Sequence, residues 1–385
     1  MTLHVMRQRF LEAILDKAGQ GNTLSYQEIV HLLTLQNPAD IQKVMEAARR
    51  LREKHFGNRL FLYGFIYFST YCRNHCSFCF YRKTNKLSPR YRKSKSEVVE
   101  IAAGLADSGV HLIDLTMGED PEIHDAGNYE ILYEMVRGVK DATGLPVMIS
   151  PGVVPDEVLS ALAAINVDWY ALYQETHNPN LYSKLRIGQS FEERISRRNA
   201  AHKSGMLVED GMLLGTGETT GDRANSINIM RRSGVHQARV MSLVPQLQTP
   251  LAGRVPVSRI NEYLIIAVMR LVMPDTLIPA SLDVDGINGL RQRLEAGANV
   301  ITSIIPPHSH LAGVSQSSLD IEQGLRTVPE VKKVLASMGL QAAEARDYTQ
   351  WVSAMKQSLA DWGENRAESR YCGRTASGLG GGVPG

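Results

Sequence analysis

The chain has 385 residues, 43% of them hydrophobic, which is ample for the core of one large domain or two ordinary ones. Its 42 Lys plus Arg against 40 Asp plus Glu leave a formal charge of +2, so bulk electrostatics call for neither nucleic acid nor an anionic membrane as partner. No apolar run approaches the roughly 18 residues of a membrane span, and the opening MTLHVMRQRFLEAIL is not a secretory leader, so the expected location is the cytoplasm.

From the start to residue 56 the sequence reads as a helical extension: MRQRFLEAILDKA, SYQEIVHLLTL and NPADIQKVMEAARRLREKHF carry apolar residues at helical spacing. Residues 57–352 change character. Eight short apolar or β-branched runs, at 61–70, 111–118, 145–152, 169–176, 207–215, 237–244, 276–284 and 299–305, alternate with amphipathic stretches, several of which end at a glycine before the next run. Parallel strands with crossovers of this length fit an α/β fold of the (β/α)8 TIM-barrel type, whose chemistry sits at the C-terminal ends of the strands. VPEVKKVLASMGL and AEARDYTQWVSAMKQSLADW are short C-terminal helices that close the chain, and residues 353–385 are expected to finish that helix and run into a disordered Gly-rich tail.

Directly after the first strand comes YCRNHCSFCFY, which brings together Cys72, Cys76 and Cys79; the fourth cysteine, Cys372, is far away in the tail. This is a poor disulfide framework, and clustered thiols in a reducing compartment point to a metal. Zinc would need a fourth ligand, for which His75 is available, but adjacent residues point in different directions. Three thiolates on an iron–sulfur cluster would leave one iron open, whereas clusters that only carry electrons are usually held by four cysteines.

The spacing Cys-x3-Cys-x2-Cys, with the aromatic Phe78 before the last cysteine, resembles the signature of the radical S-adenosylmethionine family. The resemblance implies a 4Fe-4S cluster on Cys72, Cys76 and Cys79. It further implies that S-adenosylmethionine chelates the open iron and is cleaved reductively to a 5′-deoxyadenosyl radical. Gly118 and Glu119 in LTMGED resemble the Gly-Glu element that receives the cofactor's amino group. ETHNPNLYSKLRIGQSFEER resembles the segment after strand four of the biotin synthase-like subgroup, which implies cofactor contacts for Glu175, Arg194 and Arg186. The plainer alternative makes Glu175 a helix cap and Arg194 a solvated charge.

Sulfur insertion of the biotin synthase kind needs a second cluster, for which this chain lacks cysteines. Asp114 on the second strand, Arg239 on the sixth, and Ser281, Asp283 and Asp285 in ASLDVDG at the end of the seventh suggest a substrate-binding set, since alternate strand residues share a face. A guanidinium suits a carboxylate and buried carboxylates suit ammonium groups, so the set fits a diamino acid. Alternatively, the aspartates cap helices and the arginines merely pair with them.

YFSTYCRNHCSFCFYR, DLTMGEDP, YQETHNPNLYSKLR, ARVMSLVPQ and IPASLDVDG together resemble the lysine-rearranging members of the subgroup, up to about Val352. This implies L-lysine as substrate, isomerised by hydrogen abstraction, fragmentation and recombination, with a low-potential flavodoxin or ferredoxin as electron donor. Arg239 would then bind the substrate carboxylate and Asp114, Ser281 and Asp283 its amino groups, with Asp285 as a further candidate. Two rivals stand beside this reading: another enzyme of the subgroup such as a hydrogenase maturase, and a non-catalytic iron–sulfur or zinc protein.

Overall fold

Three helices open the computed structural model, which describes residues 3–306, 309–311, 313 and 324–365; Cys372 and the Gly-rich tail lie outside the described residues. They are α1 (Leu3–Gly19), α2 (Tyr26–Leu33) and α3 (Pro38–Phe56). Local chemistry fixes their starts: Ser25 and Glu28 form a reciprocal capping box at α2, while Asn37 caps α3 ahead of Pro38. The buried face of α3 lies along α11 (Arg259–Val272), and the Arg270 guanidinium sits 5.1 Å from the Phe56 ring centroid.

All eight expected strands form: β1 (Arg59–Ser69), β2 (Leu112–Met117), β3 (Val147–Ser150), β4 (Trp169–Ala171), β5 (Leu207–Leu214), β6 (Gln237–Ser242), β7 (Pro279–Ser281) and β8 (Val300–Ile304). They pair in parallel in the order β6-β5-β4-β3-β2-β1-β8-β7. The ring closes at its base, where Gln237 bridges Leu277 and the Ala238 N–H donates to the Leu277 carbonyl at 3.0 Å. This is the (β/α)8 barrel expected from the alternating runs.

The remaining crossovers carry α4 (Lys95–Ser108), α5 (Pro121–His124), α6 (Glu130–Thr143), α7 (Asp156–Ala164), α8 (Pro179–Leu185), α9 (Phe191–Lys203), α10 (Thr220–Ser233) and α12 (Leu290–Glu295). After the barrel come α13 (Val328–Ser337), a two-residue strand β9 (Gln341–Ala342) beside the start of β1, and α14 (Ala345–Asn365).

The last helix is the barrel's floor. Tyr348 is fully buried and packs with residues near the starts of the strands, among them Phe61, Leu112, Trp169, Leu207 and Val300. Trp351 stacks on Trp169 with ring centroids 5.9 Å apart, and the Tyr348 hydroxyl donates to that of Tyr63 at 2.8 Å. The boundary expected at 352 falls inside this helix. Its apolar stripe of Tyr348, Val352, Met355 and Leu359 runs through that point without a break.

Candidate active site

The cysteines occupy the irregular loop that leaves β1 at the C-terminal mouth. Arg90 clasps both ends of the loop, donating to the carbonyls of Thr70, Tyr81 and Arg82. Gly118 holds the loop against the end of β2. A Cβ at this position would lie 2.3 Å from the Tyr71 carbonyl oxygen and 2.9 Å from the Cys72 Cβ, so only glycine permits the approach.

The three thiols are free, with Cys76 buried and Cys72 and Cys79 half-buried. Burial pushes the Cys72 thiol up to about 11 and Cys79 higher still. Iron binding would displace these protons. The Cys76 sulfur already faces donors, with Gln189 Nε2 at 3.1 Å and Arg186 Nη1 at 3.7 Å. Hydrogen bonds of this kind tune a cluster thiolate. Among the described residues no three His, Cys, Asp or Glu side chains converge as the ligands of a single ion do; in a 4Fe-4S cube each thiolate takes its own iron.

The expected cofactor residues meet around this loop. Glu119 follows β2 and is buried, accepting from Arg73 Nε at 3.2 Å and the Val153 N–H at 3.1 Å, with Arg194 Nη1 4.0 Å away. Burial pushes its carboxyl up, but Arg194, His124 and the hydrogen bonds outweigh this and hold it below the usual carboxylate range. Glu175 extends β4 toward the mouth at a positive φ of 66°, a conformation costly for a non-glycine residue. Arg186 donates to its Oε1 at 2.5 Å, while its Oε2 is buried with no partner in the described structure.

Arg186 joins the group at its centre. It touches Glu175, Cys76 and Gln189, and its guanidinium carbon lies 5.5 Å from the Phe78 ring centroid. Arg194 starts within α9 and donates its Nε to the Tyr173 carbonyl at 2.7 Å. An unsatisfied carboxylate oxygen, a loop only glycine can admit and donors aimed at a sulfur fit a cluster with S-adenosylmethionine on its open iron. A cavity of about 310 Å³ opens beside them, lined by Arg73, Asn74, Glu119, Val153 and Gln189 among others.

Deeper in the barrel, a second polar layer draws on five strands or their extensions. Arg239 of β6 donates to Glu209 of β5 at 2.6 Å and to Thr302 of β8 at 3.1 Å, with the Tyr173 ring centroid 5.4 Å from its guanidinium carbon. The Tyr173 hydroxyl bonds Glu209 at 3.1 Å. Asp114 of β2 accepts from Thr116 at 3.0 Å; burial first and Glu209 second push its carboxyl up to about 7, with Arg239 opposing.

The ASLDVDG stretch keeps Ser281 and Asp283 together, the Asp283 N–H donating to the Ser281 hydroxyl at 3.3 Å, and sends Asp285 elsewhere. Strand β7 ends at Ser281, whose hydroxyl lies 3.3 Å from that of Ser303. Asp283 is buried and takes Arg326 at 3.0 Å. Asp285 lies beyond the strand, where its carboxylate is taken up by Arg259 at 2.9 Å and Arg293 at 2.8 Å. Period-two reasoning carried past the end of the strand, so the shared face expected for all three residues is not formed.

Residues not anticipated include Gln189, Tyr173, Glu209 and Asp210. Asp210 points away from Glu209 and is buried. Its Oδ1 accepts the N–H groups of Gln174 and Gly211 at 2.8 and 2.7 Å, and its Oδ2 faces His177 at 3.1 Å and Arg198 at 3.2 Å. It thereby fixes the backbone between Tyr173, which serves the inner layer, and Glu175, which serves the mouth. Two adjacent carboxylates inside the apolar run LVEDGMLLG were the available signal, since neighbours on a strand face opposite sides.

A parallel barrel whose mouth gathers three free thiols, an unsatisfied carboxylate and two arginines defines a radical S-adenosylmethionine enzyme. The Radical SAM superfamily model matches residues 66–230. The 3-methylornithine synthase of Methanosarcina barkeri is 42% identical over 333 residues, covering 86% of this chain and 94% of the relative. The crystal structure of methylornithine synthase (PylB) superposes with a TM-score of 0.83 at 42% identity, over 88% of this chain and 99% of that one. The FeFe-hydrogenase maturase subunit HydE of Thermotoga maritima is 29% identical, over 77% of this chain and 80% of the relative. The chain belongs to the 3-methylornithine synthase family.

Proposed function

We propose that this chain isomerises L-lysine to (3R)-3-methyl-D-ornithine, the opening step of pyrrolysine biosynthesis. The observation that carries the reading is the inner layer itself, in a member of this family: one guanidinium, Arg239, between two carboxylates, Asp114 and Glu209. A diamino acid brings one carboxylate and two ammonium groups, the complementary set. The Nη2 of Arg239 has no hydrogen-bond partner among the described residues and is free to take the substrate carboxylate. Asp114, Asp283 and Ser281 hold the ammonium groups, and Glu209 keeps Arg239 in place. Asp285, spent on Arg259 and Arg293, has no direct part.

Cys72, Cys76 and Cys79 hold the cluster, and Glu119, Glu175, Arg186, Arg194 and Phe78 surround the cofactor. When bound, the cluster and S-adenosylmethionine supply a carbon radical that abstracts hydrogen. The chain's own contribution is confinement. The lysine skeleton breaks into two pieces that rejoin at a different carbon, so both must stay in place and away from water. The inner layer pins the charged ends, and α14 closes the base. The electron comes from a low-potential flavodoxin or ferredoxin in the cytoplasm, where thiols stay reduced. Among the described residues no helix is long and apolar enough to cross a membrane.

The test is anaerobic reconstitution with iron and sulfide, then reductant, S-adenosylmethionine and L-lysine, with products read by mass spectrometry. A lysine isomer coeluting with 3-methylornithine is expected. 5′-Deoxyadenosine without any isomer would make lysine the wrong substrate.

A further inference from the structure

Beneath the inner polar layer, a run of aromatic rings leads from the barrel's interior to its outside. Tyr63 of β1 pairs with Leu112, two residues before Phe65, which pairs with Asp114. Its hydroxyl therefore stands one layer below the substrate set, and the charges that bear on it are Glu209, Arg239 and Asp114. From there the path is short. The Tyr348 hydroxyl donates to that of Tyr63 at 2.8 Å, with ring centroids 5.5 Å apart, and the Tyr348 ring lies nearly parallel to that of Trp351 at 6.3 Å. Trp351 also stacks on Trp169 at 5.9 Å, so it makes both of the near-parallel ring contacts found among the described residues. Tyr63 and Tyr348 are fully buried, whereas Trp351 is half-buried.

Packing accounts for the rings but not for their polar atoms. A buried phenol usually donates its hydrogen to a partner. Tyr63 accepts from Tyr348, yet its own hydrogen has no acceptor among the described residues. A floor built only to pack would do as well with phenylalanine, which Phe61 supplies 4.8 Å from Tyr348. Instead, three oxidisable side chains stand in contact between the inner layer and the last helix.

We infer that Tyr63, Tyr348 and Trp351 form a relay that quenches carbon radicals which fail to recombine, and that carries the oxidising equivalent out through the floor. The inference rests on the radical reading above. A reactive alkyl radical that strays toward the base takes the Tyr63 hydrogen: a C–H bond forms, the O–H bond breaks, the carbon is reduced and Tyr63 becomes a phenoxyl radical. A phenolic O–H bond is weaker than an ordinary alkyl C–H bond, so the step runs downhill, while the stabilised α-carbon radical of an amino acid is left alone. The Tyr348 hydrogen, already aimed at the Tyr63 oxygen, moves across and leaves the radical on Tyr348. Trp351 then gives Tyr348 an electron and loses its indole proton to water, and the tyrosine pair takes back a proton from water. A small thiol in solution restores Trp351 with a hydrogen atom and leaves as a thiyl radical. Placement beneath the charged layer keeps the phenol away from a substrate radical held in its proper place, so productive turnover is not drained.

Two measurements test the relay. In cluster-free protein, pulse radiolysis with the azide radical oxidises tryptophan selectively and drives the same contacts in reverse. The tryptophanyl absorption should give way to that of a tyrosyl radical at a rate independent of protein concentration. Trp351→Phe and Tyr348→Phe should each slow that conversion several-fold, and Tyr133→Phe, on α6, should not. In reconstituted enzyme turning over lysine anaerobically, with dithionite as reductant and no thiol, freeze-quench electron paramagnetic resonance should show a tyrosyl radical that narrows with ring-deuterated tyrosine and is missing in Tyr63→Phe. That variant should start at the wild-type rate and inactivate after several-fold fewer turnovers, a split that a purely structural role would not produce. Wild-type conversion rates in both radiolysis variants, or an unchanged radical signal and lifetime in Tyr63→Phe, overturn the relay. Failure of the radical reading would look different, as an intact radiolysis result with no 5′-deoxyadenosine formed.

Discussion

Asp114 shows how one buried side chain can set the pH response of the site. Its carboxyl is raised from an ordinary 3.8 to about 7, by burial and then by Glu209. Below pH 3.8 it is protonated whether the chain is folded or not. Between there and about 7 only the unfolded chain releases the proton, so its contribution to the stability of the ligand-free protein falls as pH rises and levels off above the folded value. Asp114→Asn removes that loss. Thermal melts of ligand-free protein should place the variant above wild type at pH 8 and level with it near pH 4. Lysine binding runs the other way, because an ammonium group favours the ionised carboxylate. Wild-type affinity should drop between pH 8 and 6, while the variant is weaker by roughly tenfold to a hundredfold at pH 8 and flat across that range. Binding titrations that find wild type equally flat would remove Asp114 from the substrate set. At this scale the sequence was legible wherever spacing carried chemistry, as with Cys72, Cys76 and Cys79. It flagged Glu209 and Asp210 only as two carboxylates in an apolar run, without saying which faces inward, and it was mute on Arg326, which reaches Asp283 from 43 residues away.

Among the elements, the strands were legible because burial on both faces makes a parallel barrel strand a continuous apolar run. Their ends were not. The runs expected at 169–176 and 276–284 shrink to Trp169–Ala171 and Pro279–Ser281, because the residues beyond leave the ladder to build the mouth. Glu175, with its positive φ, lies in the first overrun, and Asp285, turned toward two arginines, lies one residue past the second. Apolar content reports burial, and backbone that turns into a site is buried as well. The two-residue β9 is too short to leave any pattern. Contact between loop and strand end gives a prediction at this scale. Gly118→Ala would place a Cβ 2.3 Å from the Tyr71 oxygen, so the cysteine loop has to move. The variant should keep its far-ultraviolet circular dichroism and lose most of its 4Fe-4S absorption after reconstitution, with bound iron falling alongside. A full complement of iron would show that the loop tolerates the shift.

For the molecule as a whole, barrel and closing helices were both legible, but the use made of the last helix was not. Its stripe at 348, 352, 355 and 359 is plain in the sequence, yet nothing local says that the partner surface is the base of a barrel whose strands begin as far back as residue 59. Tyr348→Ala should cost about 3–5 kcal/mol in urea denaturation, as for other large buried aromatics, and Tyr348→Phe only about 1 kcal/mol for the lost hydroxyl pair. Equal costs would mean that the Tyr63 hydrogen bond, not ring packing, holds the floor. Tyr63 and Tyr348 are 285 residues apart, so that floor cannot be laid until nearly the whole chain exists. Such separation costs little in final stability but a great deal in time. On the ribosome the strands emerge first and the stopper last, so a nascent barrel keeps an open, wet bore. Water can solvate Asp114, Glu209 and Arg239 until their mutual geometry is set, and the finished enzyme dries from the bottom up when its last helix arrives.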